Sequence, residues 1–274
     1  MVISELIKKG ALALENKVDN PIREARLILA DAAEMSVSDI IIRGENEVLP
    51  EAEAKYFEHI EKRAEGTPFA YITGRQEFYG LSFFVTEDVL IPRADTEILV
   101  DFAISRGGKT VLDLCTGSGC IAVSLAKNMP TSSVTAVDIS PAALEVAKKN
   151  ASQNGCGNVS FFETDILSEI PGGKYDLIVS NPPYIEKAEL SSLMKDVIEF
   201  EPRLALDGGE DGLIFYRRIC DLAPQILEKG GTLAFEIGYN QYDTVYEIMK
   251  ENFSEIGYKE DLSGIKRVLY GKLQ

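Results

Sequence analysis

The decapeptide IVSNPPYIEK, residues 178–187, places an amide, two prolines and an aromatic ring at the end of an apolar run. Pro182 and Pro183 remove two backbone donors and fix two φ angles, so the corner is rigid. The carbonyl of Pro182 lies beyond the strand and can accept a hydrogen bond, as can the side-chain oxygen of Asn181. Two such acceptors can hold both protons of an NH2 group while the ring of Tyr184 lies against a planar substrate. The stretch predicts a site for a primary amide or an aromatic amine; the alternative is a loop that the prolines merely stiffen.

A second stretch, DLCTGSGCIA at residues 113–122, has the glycine spacing of a nucleotide-binding turn. Gly117, Gly119 and Ala122 match G-x-G-x-x-G/A, in which glycines let the backbone turn tightly and approach a ligand. Asp138 ends the next apolar run about twenty residues on, where a carboxylate can accept both hydroxyls of a ribose. The two features together predict a nucleoside site. The alternative is a tight turn, with Asp138 at the start of the following helix.

Acids at the ends of neighbouring strands indicate which nucleoside. Asp113 would repel a pyrophosphate, but it suits an ammonium or a sulfonium group. This charge favours S-adenosylmethionine over NAD(P). Asp165 could accept from the adenine amino group, cap the next helix, or do both, and Ile166 could cover the adenine face.

The chemistry predicted from these two sites is methyl transfer to nitrogen. An amide nitrogen is a weak nucleophile because its lone pair is delocalised, and two acceptors on its N–H bonds raise its electron density as the methyl group arrives. Alignment and prearranged dipoles would supply the catalysis, without a strong base. The single histidine, His59, lies in a charged helical segment, and we expect it at the surface. The four cysteines lack metal-ligand spacing, so we expect no metal site.

The elements that must position these residues alternate from Thr110 onward. Near-continuous apolar runs predict buried parallel strands at TVLDL, SVTAVDI, NVSFFETDI, YDLIVSN and GTLAFEIG, with helices between them. The fold class is therefore α/β, a Rossmann-like doubly wound and mostly parallel sheet. Asn181 ends the fourth strand, at the carboxyl edge where such sheets bind ligands. The tail, residues 251–273, predicts an antiparallel pair around a Ser-Gly turn.

The first part of the chain reads as helices. Asn20 and Pro21 form an N-cap and first helical position, and a second helix runs from Pro50 to Gly66. An apolar stripe is predicted at Ile22, Ala25, Leu29 and Ala30. We expect this small bundle to have little core of its own. The predicted domains are a helical one for recognising a substrate protein, a β-hairpin linker and a catalytic domain, at residues 1–72, 73–92 and 93–274.

The net charge, the lengths of the apolar runs and the cysteines disfavour several classes of protein. The chain of 274 residues has a formal net charge of −16, which disfavours a nucleic-acid partner because such partners normally meet a basic face. The acidic residues and the lack of a continuous apolar stretch near the N-terminus lead us to expect no signal peptide, and no apolar run reaches the roughly 18 residues of a membrane span. Unpaired cysteines favour a reducing compartment. We therefore expect a cytoplasmic monomer.

With these motifs in place, the chain resembles class I S-adenosylmethionine-dependent methyltransferases of the NPPY kind, and among them the peptide chain release factor N5-glutamine methyltransferases (the HemK/PrmC family). NPPY alone is shared with adenine-N6 DNA methyltransferases. The finer resemblance covers nearly the whole chain and rests on TPFAYITGRQEFYGLSFFV, VLIPRADTEILV, DLCTGSGCIA and EPRLALDGGEDGLIFYRRI.

The resemblance implies methyl transfer from S-adenosylmethionine to the glutamine side chain in the GGQ loop of a release factor. It implies that Asn181 to Tyr184 hold the glutamine and that the cofactor is bound by Cys115, Thr116, Gly117, Ser118, Gly119 and Asp138. Cys115 stands where the family has glycine, and we expect its side chain to point away from the ligand. Ile166 stands where relatives have an aromatic residue. The helical N-terminal part would help to grip the release factor.

Several assignments remain open at the level of sequence. Arg93 either orients the cofactor or forms a salt bridge to Asp95 or Glu97. Phe78 and Tyr79 either face a partner or fill the hairpin core, and the run GGEDG at 208–212 is either a surface turn or part of the substrate groove. The rival functions are an adenine-N6 methyltransferase acting on nucleic acid, a protein that binds the cofactor without catalysis, and an NAD(P) oxidoreductase.

Overall fold

A computed structural model describes residues 1–274, except for the side chain of Lys195. The chain divides into two compact units. The first comprises Met1–Gly74 with Lys195–Phe200, and the second comprises Arg75–Met194 with Glu201–Gln274. The expected linker at 73–92 therefore falls almost entirely within the second unit.

The first unit is built of helices whose ends follow local chemistry. Asn20 caps the second helix by accepting the Arg23 N–H at 3.1 Å, and Pro21 follows at the first helical position. Gly66, at φ 109°, ends the fourth helix in the left-handed conformation that glycine favours. The helices are α1 Ile3–Ala13, α2 Pro21–Ala32, α3 Val37–Ile42, α4 Pro50–Glu65 and α5 Phe69–Thr73.

This unit has a core of its own, contrary to our expectation. Tyr56 is fully buried among leucines and isoleucines of α1 and α2, and its hydroxyl donates to the Leu6 carbonyl at 3.0 Å. The surface prediction for His59 is also wrong: the ring is buried, 3.8 Å from the Asp31 carboxylate, because it shares the inward face of α4 with Tyr56. Burial lowers the pKa of His59. The predicted stripe on α2 holds except at Ile22, which is exposed.

The predicted hairpin is present and is part of the second unit. Strands β1 Arg75–Phe78 and β2 Leu81–Phe84 pair antiparallel across a two-residue turn. Both turn residues, Tyr79 and Gly80, have positive φ, which matches the twist of the strands. Phe78 is buried against Phe83 and belongs to the hairpin core. Tyr79 is partly buried, packs against that core, and donates its hydroxyl to Asp101 at 2.5 Å.

The rest of the second unit is a seven-stranded sheet in the order β5-β4-β3-β6-β7-β9-β8, parallel except where β9 pairs with β7 and β8. This confirms the doubly wound, mostly parallel prediction and the antiparallel pair of the tail. The elements are α6 Glu97–Arg106, β3 Thr110–Leu114, α7 Cys120–Asn128, β4 Ser133–Asp138, α8 Pro141–Gln153, β5 Val159–Glu163, β6 Tyr175–Ser180, α9 Lys195–Phe200 (in the first unit), α10 Ile214–Ile226, β7 Leu227–Glu236, α11 Tyr242–Met249, β8 Phe253–Glu260 and β9 Lys266–Leu273.

Helices cover both faces of this sheet, which explains why its strands lack alternation. Neighbouring residues of β3 belong to different cores: Val111 to one that includes Leu99 of α6, and Leu112 to one that includes Leu222 of α10. The chain runs from β3 to β4 to β5 and then returns to β6 on the other side of β3. The switch point between β3 and β6 opens a crevice at their carboxyl ends, where ligands bind in such sheets.

No helix in the described part of the chain has the length and apolar character required to cross a bilayer.

Candidate active site

A cavity of about 290 Å³ opens at the carboxyl ends of β3, β4 and β6, where the sequence places its candidate residues. Most of those candidates line it: Arg93, Cys115, Thr116, Gly117, Ser118, Asp138, Asp165, Ile166, Asn181 and Pro183. Among the described residues, the other four candidates, Asp113, Gly119, Pro182 and Tyr184, are not on its wall. The nucleoside motif and the NPPY corner therefore share one cavity.

The glycine loop needs both of its glycines, for different reasons. Gly117 and Gly119 have φ of 54° and 78°, in the left-handed region. A Cβ at Gly119 would lie 2.9 Å from the Cβ of Ala147 on α8, so glycine allows α7 and α8 to approach closely. A Cβ at Gly117 would meet no protein atom within 4 Å. Gly117 thus keeps the cavity open, whereas Gly119 supports its frame.

Asp113 lies behind this loop rather than on the cavity wall, where we expected it to face a ligand. The side chain is fully buried, and one carboxylate oxygen accepts from the Thr116 hydroxyl at 2.6 Å. Burial raises the pKa of Asp113 to about 7. The expected contact with a ligand's positive charge is therefore replaced by a contact that shapes the loop, because Asp113 lies within β3 and the cavity wall of this segment begins only after the strand, at Cys115.

Asp138 joins the two turns that border the cavity. Its oxygens accept the Gly117 N–H at 2.8 Å and the Ser140 N–H at 2.9 Å. Burial raises the pKa of Asp138, and these N–H groups oppose the shift. Each carboxylate oxygen has a second lone pair, so the group can still accept from a ligand hydroxyl.

Asp165 lines the cavity, but no helix follows it, so the interpretation of this residue as a helix cap is wrong. Its carboxylate accepts the Leu167 N–H at 3.0 Å and the Ser168 hydroxyl at 2.8 Å, which fixes the turn after β5. Ile166 beside it is buried, and its carbonyl accepts from Arg218 at 2.7 Å. An apolar surface and a carboxylate are thus held together on one wall.

Cys115 occupies an unusual backbone position. Its φ is 60°, a conformation that costs a residue with a Cβ about 1–2 kcal/mol and that glycine adopts freely. Cys115 both lines the cavity and packs against the core that contains Leu112 and Leu222. Burial raises the pKa of its thiol well above the ordinary value, so the thiol is neutral. The packing of Cys115 against the core agrees with the expected direction of its side chain, and its place beside the cofactor stays a prediction.

Arg93 lies on the cavity wall, and neither of its expected ion partners pairs with it. Its guanidinium pairs with the buried carboxylate of Glu201. Asp95 pairs instead with Arg267 at 2.9 Å, and Glu97 accepts the Tyr79 N–H at 2.7 Å. The interpretation of Arg93 as a residue near the cofactor site is consistent with this position.

The NPPY corner is closed by contacts from distant segments. The Nδ2 of Asn181 donates to the Thr96 hydroxyl at 3.2 Å, while Pro182 is buried and Pro183 reaches the cavity. The carbonyl of Tyr184 accepts from the Gln241 amide at 2.9 Å. The Tyr184 ring packs against the core that contains Leu112 and Leu222, and burial raises the pKa of Tyr184 to about 12.

The GGEDG run, interpreted as a surface turn or a groove wall, packs against this corner. The Gly208 N–H donates to the Ile185 carbonyl at 2.9 Å, and the Ile185 N–H donates to the Leu206 carbonyl at 3.0 Å. A Cβ at Gly208 would lie 2.8 Å from the Cα of Tyr184, and one at Gly212 would lie 2.5 Å from the Tyr184 carbonyl oxygen. Two glycines therefore let this turn press directly on the NPPY backbone.

Sequence reasoning missed Thr96, Gln241 and Glu236, which support the corner; Thr96 also lines the cavity, whereas Gln241 and Glu236 do not. Glu236 ends β7 and is buried, with its carboxylate facing the side chains of Thr96 and Asn181. A signal was present: GTLAFEIG ends an apolar strand with an acid, the same pattern that identified Asp113 and Asp138.

Comparison with known proteins identifies similar sequences over nearly the full length. Residues 94–219 match the methyltransferase small domain and residues 5–74 match the PrmC N-terminal domain. The chain is 41% identical to the release factor glutamine methyltransferase of Geobacter sulfurreducens, over 97% of this chain and 94% of that protein. It is 42% identical to the protein of that name from Koribacter versatilis, over 92% of this chain and 91% of that one.

Among solved structures, a methyltransferase from Pyrococcus furiosus matches 82% of this chain and 98% of its own, with a TM-score of 0.54 and 18% sequence identity. At that identity the likeness concerns the fold alone, and it agrees with the mostly parallel sheet described above.

Proposed function

This chain belongs to the release factor glutamine methyltransferase family, and from this premise we propose that Asn181, Pro182, Pro183 and Tyr184 hold the glutamine of a release factor's GGQ loop. The enzyme transfers a methyl group from S-adenosylmethionine to the side-chain nitrogen of that glutamine. The observation that carries the site assignment is that Asn181 shares one cavity with the glycine loop.

The cofactor fits the residues that line the cavity. Gly117 leaves space for a ligand next to the backbone, Asp138 retains free lone pairs for ribose hydroxyls, and Asp165 with Ile166 offers an acceptor and an apolar face for adenine. S-adenosylmethionine supplies the electrophilic methyl group. We assign Cys115, Thr116, Ser118 and Gly119 to the loop around it and Arg93 to its border.

The corner's own chemistry is to hold an NH2 group and direct its lone pair. Because Nδ2 of Asn181 donates a hydrogen bond to the Thr96 hydroxyl, Oδ1 of Asn181 is available to accept one substrate N–H. The Pro182 carbonyl accepts the second, and the two together raise the electron density of an otherwise weak nucleophile. Holding the nitrogen in line supplies the larger part of the rate, because the bimolecular step becomes effectively intramolecular.

Asn181→Ala tests this assignment. We expect loss of methyl transfer by about 100-fold or more, with the dissociation constant for S-adenosylmethionine changed less than about threefold because the cofactor wall is intact. The assay follows labelled methyl from S-adenosylmethionine into a release factor, with a GGA variant of the factor as the control substrate. Transfer at the wild-type rate in Asn181→Ala, or equal label on the GGQ and GGA forms, would overturn the assignment.

We also propose that the N-terminal unit, expected at residues 1–72, contributes to gripping the release factor. A groove of about 690 Å³ lies within this unit between α1, α2 and α3. Leu12 and Ile41 on its walls are 71% and 58% exposed, and Lys8 and Arg26 border them. Single exposed apolar residues are ordinary, but several around one groove indicate a protein-binding surface.

A matched pair of variants tests this surface. Leu12→Glu is expected to raise the KM for the intact release factor about 10-fold, because it buries a charge at the contact. Leu49→Glu is the control, since Leu49 is 73% exposed in the same unit but lies outside the groove. Equal KM values for the two variants would contradict the proposal.

The rival acting on adenine in nucleic acid is disfavoured by the family assignment and by the net charge of −16.

A further inference from the structure

A buried polar group stands behind Asn181 and is formed by two segments far from it in sequence. Thr96 lies at the end of the turn Ala94–Thr96, and Glu236 lies at the carboxyl end of β7. They are 2% and 4% exposed. Asn181 donates its Nδ2 to Thr96 at 3.2 Å, and the Glu236 carboxylate faces both other side chains. None of these three contacts is required by the backbone fold.

A carboxylate in this position restricts which way the Asn181 amide can turn. An ionised carboxylate only accepts hydrogen bonds, and a side-chain amide has a donor end and an acceptor end. With Nδ2 toward Glu236 and Thr96, the acceptor Oδ1 points the other way. A flipped amide would set Oδ1 against the carboxylate and would present an NH2 to the NH2 of the substrate, which are two mismatches.

The cost of burying Glu236 argues that the acid has a purpose. Its Oε2 is buried and has no close hydrogen-bond partner among the described residues. A buried acceptor without a partner is destabilising, and an apolar residue at this position would avoid that cost. The donors that face this carboxylate are the side chains of Thr96 and Asn181, so the acid favours one orientation of the Asn181 amide.

We propose that Glu236, acting with Thr96, is a positioning residue that holds the Asn181 amide with Oδ1 toward the substrate and so selects an NH2 donor. The proposal rests on the proposed role of Asn181. Glu236 itself does not line the cavity, so it acts through Asn181 rather than on the glutamine. Specificity for a primary amide then depends on a buried carboxylate that the substrate never touches.

The charge state of Glu236 follows from its surroundings. Burial raises the pKa of Glu236 to about 7 and the charge of Asp95 adds to this shift, whereas hydrogen bonds from Thr96 and Asn181 and the charge of Arg267 oppose it. Tyr184, Tyr216 and Cys120 also face this acid. Burial raises the pKa of Tyr184 and of Cys120 to about 12 and the pKa of Tyr216 well above its ordinary value, so all three stay neutral in an ordinary assay. Below pH 7 the protonated acid becomes a donor and no longer selects Nδ2, so methyl transfer should fall on the acid side.

The test compares Glu236→Gln with the wild type, using a release factor substrate at saturating S-adenosylmethionine. Glutamine is nearly isosteric but carries its own donor, so the selection is lost. We expect kcat to fall about 10- to 100-fold, with the dissociation constant for S-adenosylmethionine within twofold. The wild-type decline in kcat below about pH 7 should be absent in the variant. Asp113→Asn is the control for the other acid that titrates near 7, and it should retain that decline.

A second pair keeps the proposal open to refutation if Glu236→Gln fails to fold. Thr96→Val removes the hydroxyl that accepts from Nδ2 and should lower kcat at least fivefold. Thr96→Ser retains that hydroxyl and should keep kcat close to the wild-type value. Wild-type kcat in Glu236→Gln, an unchanged pH profile, or failure of serine to restore activity would overturn the proposal. If Asn181→Ala is inactive while Glu236→Gln is fully active, the proposed function stands and this inference fails. If Asn181→Ala is active, the site assignment itself fails.

Discussion

Gly119 and Gly117 have nearly the same backbone conformation but very different surroundings, so replacing each by alanine separates two physical effects. Their φ angles are 78° and 54°. A Cβ at Gly119 would meet Ala147 at 2.9 Å from its Cβ and 3.2 Å from its Cα, well inside the usual contact of about 3.5–4.0 Å. A Cβ at Gly117 would meet nothing within 4 Å.

The magnitudes follow from these two contributions. The left-handed conformation costs alanine about 1–2 kcal/mol at either position. Overpacking α7 against α8 adds about 1–3 kcal/mol at Gly119 alone. The gain from a stiffer unfolded chain, about 0.4–1 kcal/mol, is the same for both and cancels in the comparison. Gly119→Ala should therefore be less stable than Gly117→Ala by about 1–3 kcal/mol.

Urea unfolding of the cofactor-free enzyme, followed by circular dichroism, measures the stability difference, and calorimetric titration measures cofactor affinity. The two assays should rank the variants oppositely, with the larger loss of stability in Gly119→Ala and the larger loss of cofactor affinity in Gly117→Ala. Gly117→Ala should weaken S-adenosylmethionine binding more, because its methyl group enters the cavity, whereas Gly119 lies off the cavity wall. Equal unfolding free energies, or stronger loss of affinity in Gly119→Ala, would refute the division of roles.

Two further predictions concern the turn that packs against the NPPY corner and the dependence of stability on pH. Gly212→Ala should lower kcat more than 10-fold while leaving cofactor affinity within threefold, because its Cβ would lie 2.5 Å from the Tyr184 carbonyl oxygen. Gly264→Ala, at φ 77° with nothing within 4 Å, is the control and should be fully active; equal loss in both would contradict the claim. Burial raises the pKa of Asp113 from 3.8 to about 7, so the folded state holds a proton that the unfolded chain releases. That contribution to stability is complete below about pH 4 and is lost as the pH rises to about 7, at about 1.4 kcal/mol per pH unit. In Asp113→Asn, the free energy of unfolding should therefore decline less steeply as the pH rises. Asp176→Asn is the control: hydrogen bonds from backbone N–H groups lower the pKa of Asp176 from 3.8, so its stability contribution is lost only at more acidic pH, and this variant should keep the wild-type slope. Urea midpoints from pH 4.5 to 7.5 check both, and parallel curves for the two variants would contradict this reasoning.

Much of the architecture could be predicted because its signals are local. Apolar runs alternating with helical spacing imply a parallel sheet wherever the strands pair, and the order of the chain then brings strand ends to one edge. The Asn20 cap, the Pro50 start and the Gly66 stop of the N-terminal helices are likewise decided within a few residues. The NPPY corner and the glycine loop were found in the same way.

The interpretations that failed depend on which surface meets which. His59 lies in a charged helical segment, yet the face it shares with Tyr56 packs inward, and helix periodicity alone does not say which face is buried when both carry polar residues. Asp113 was expected on the cavity wall, but the loop that follows it turns over the carboxylate.

The amino-acid sequence by itself determined the class of fold, the nucleoside turn and the amide-bearing corner, because each depends on residues that are neighbours along the chain. Only the tertiary structure decided how that corner is held. Thr96, 85 residues from Asn181, together with Glu236 and the Gly208–Gly212 turn, reaches it through packing of the sheet and its loops. Hydrogen bonds and close contacts between such distant segments depend on atomic distances that no local pattern specifies, which is why these supports became visible only in the folded chain.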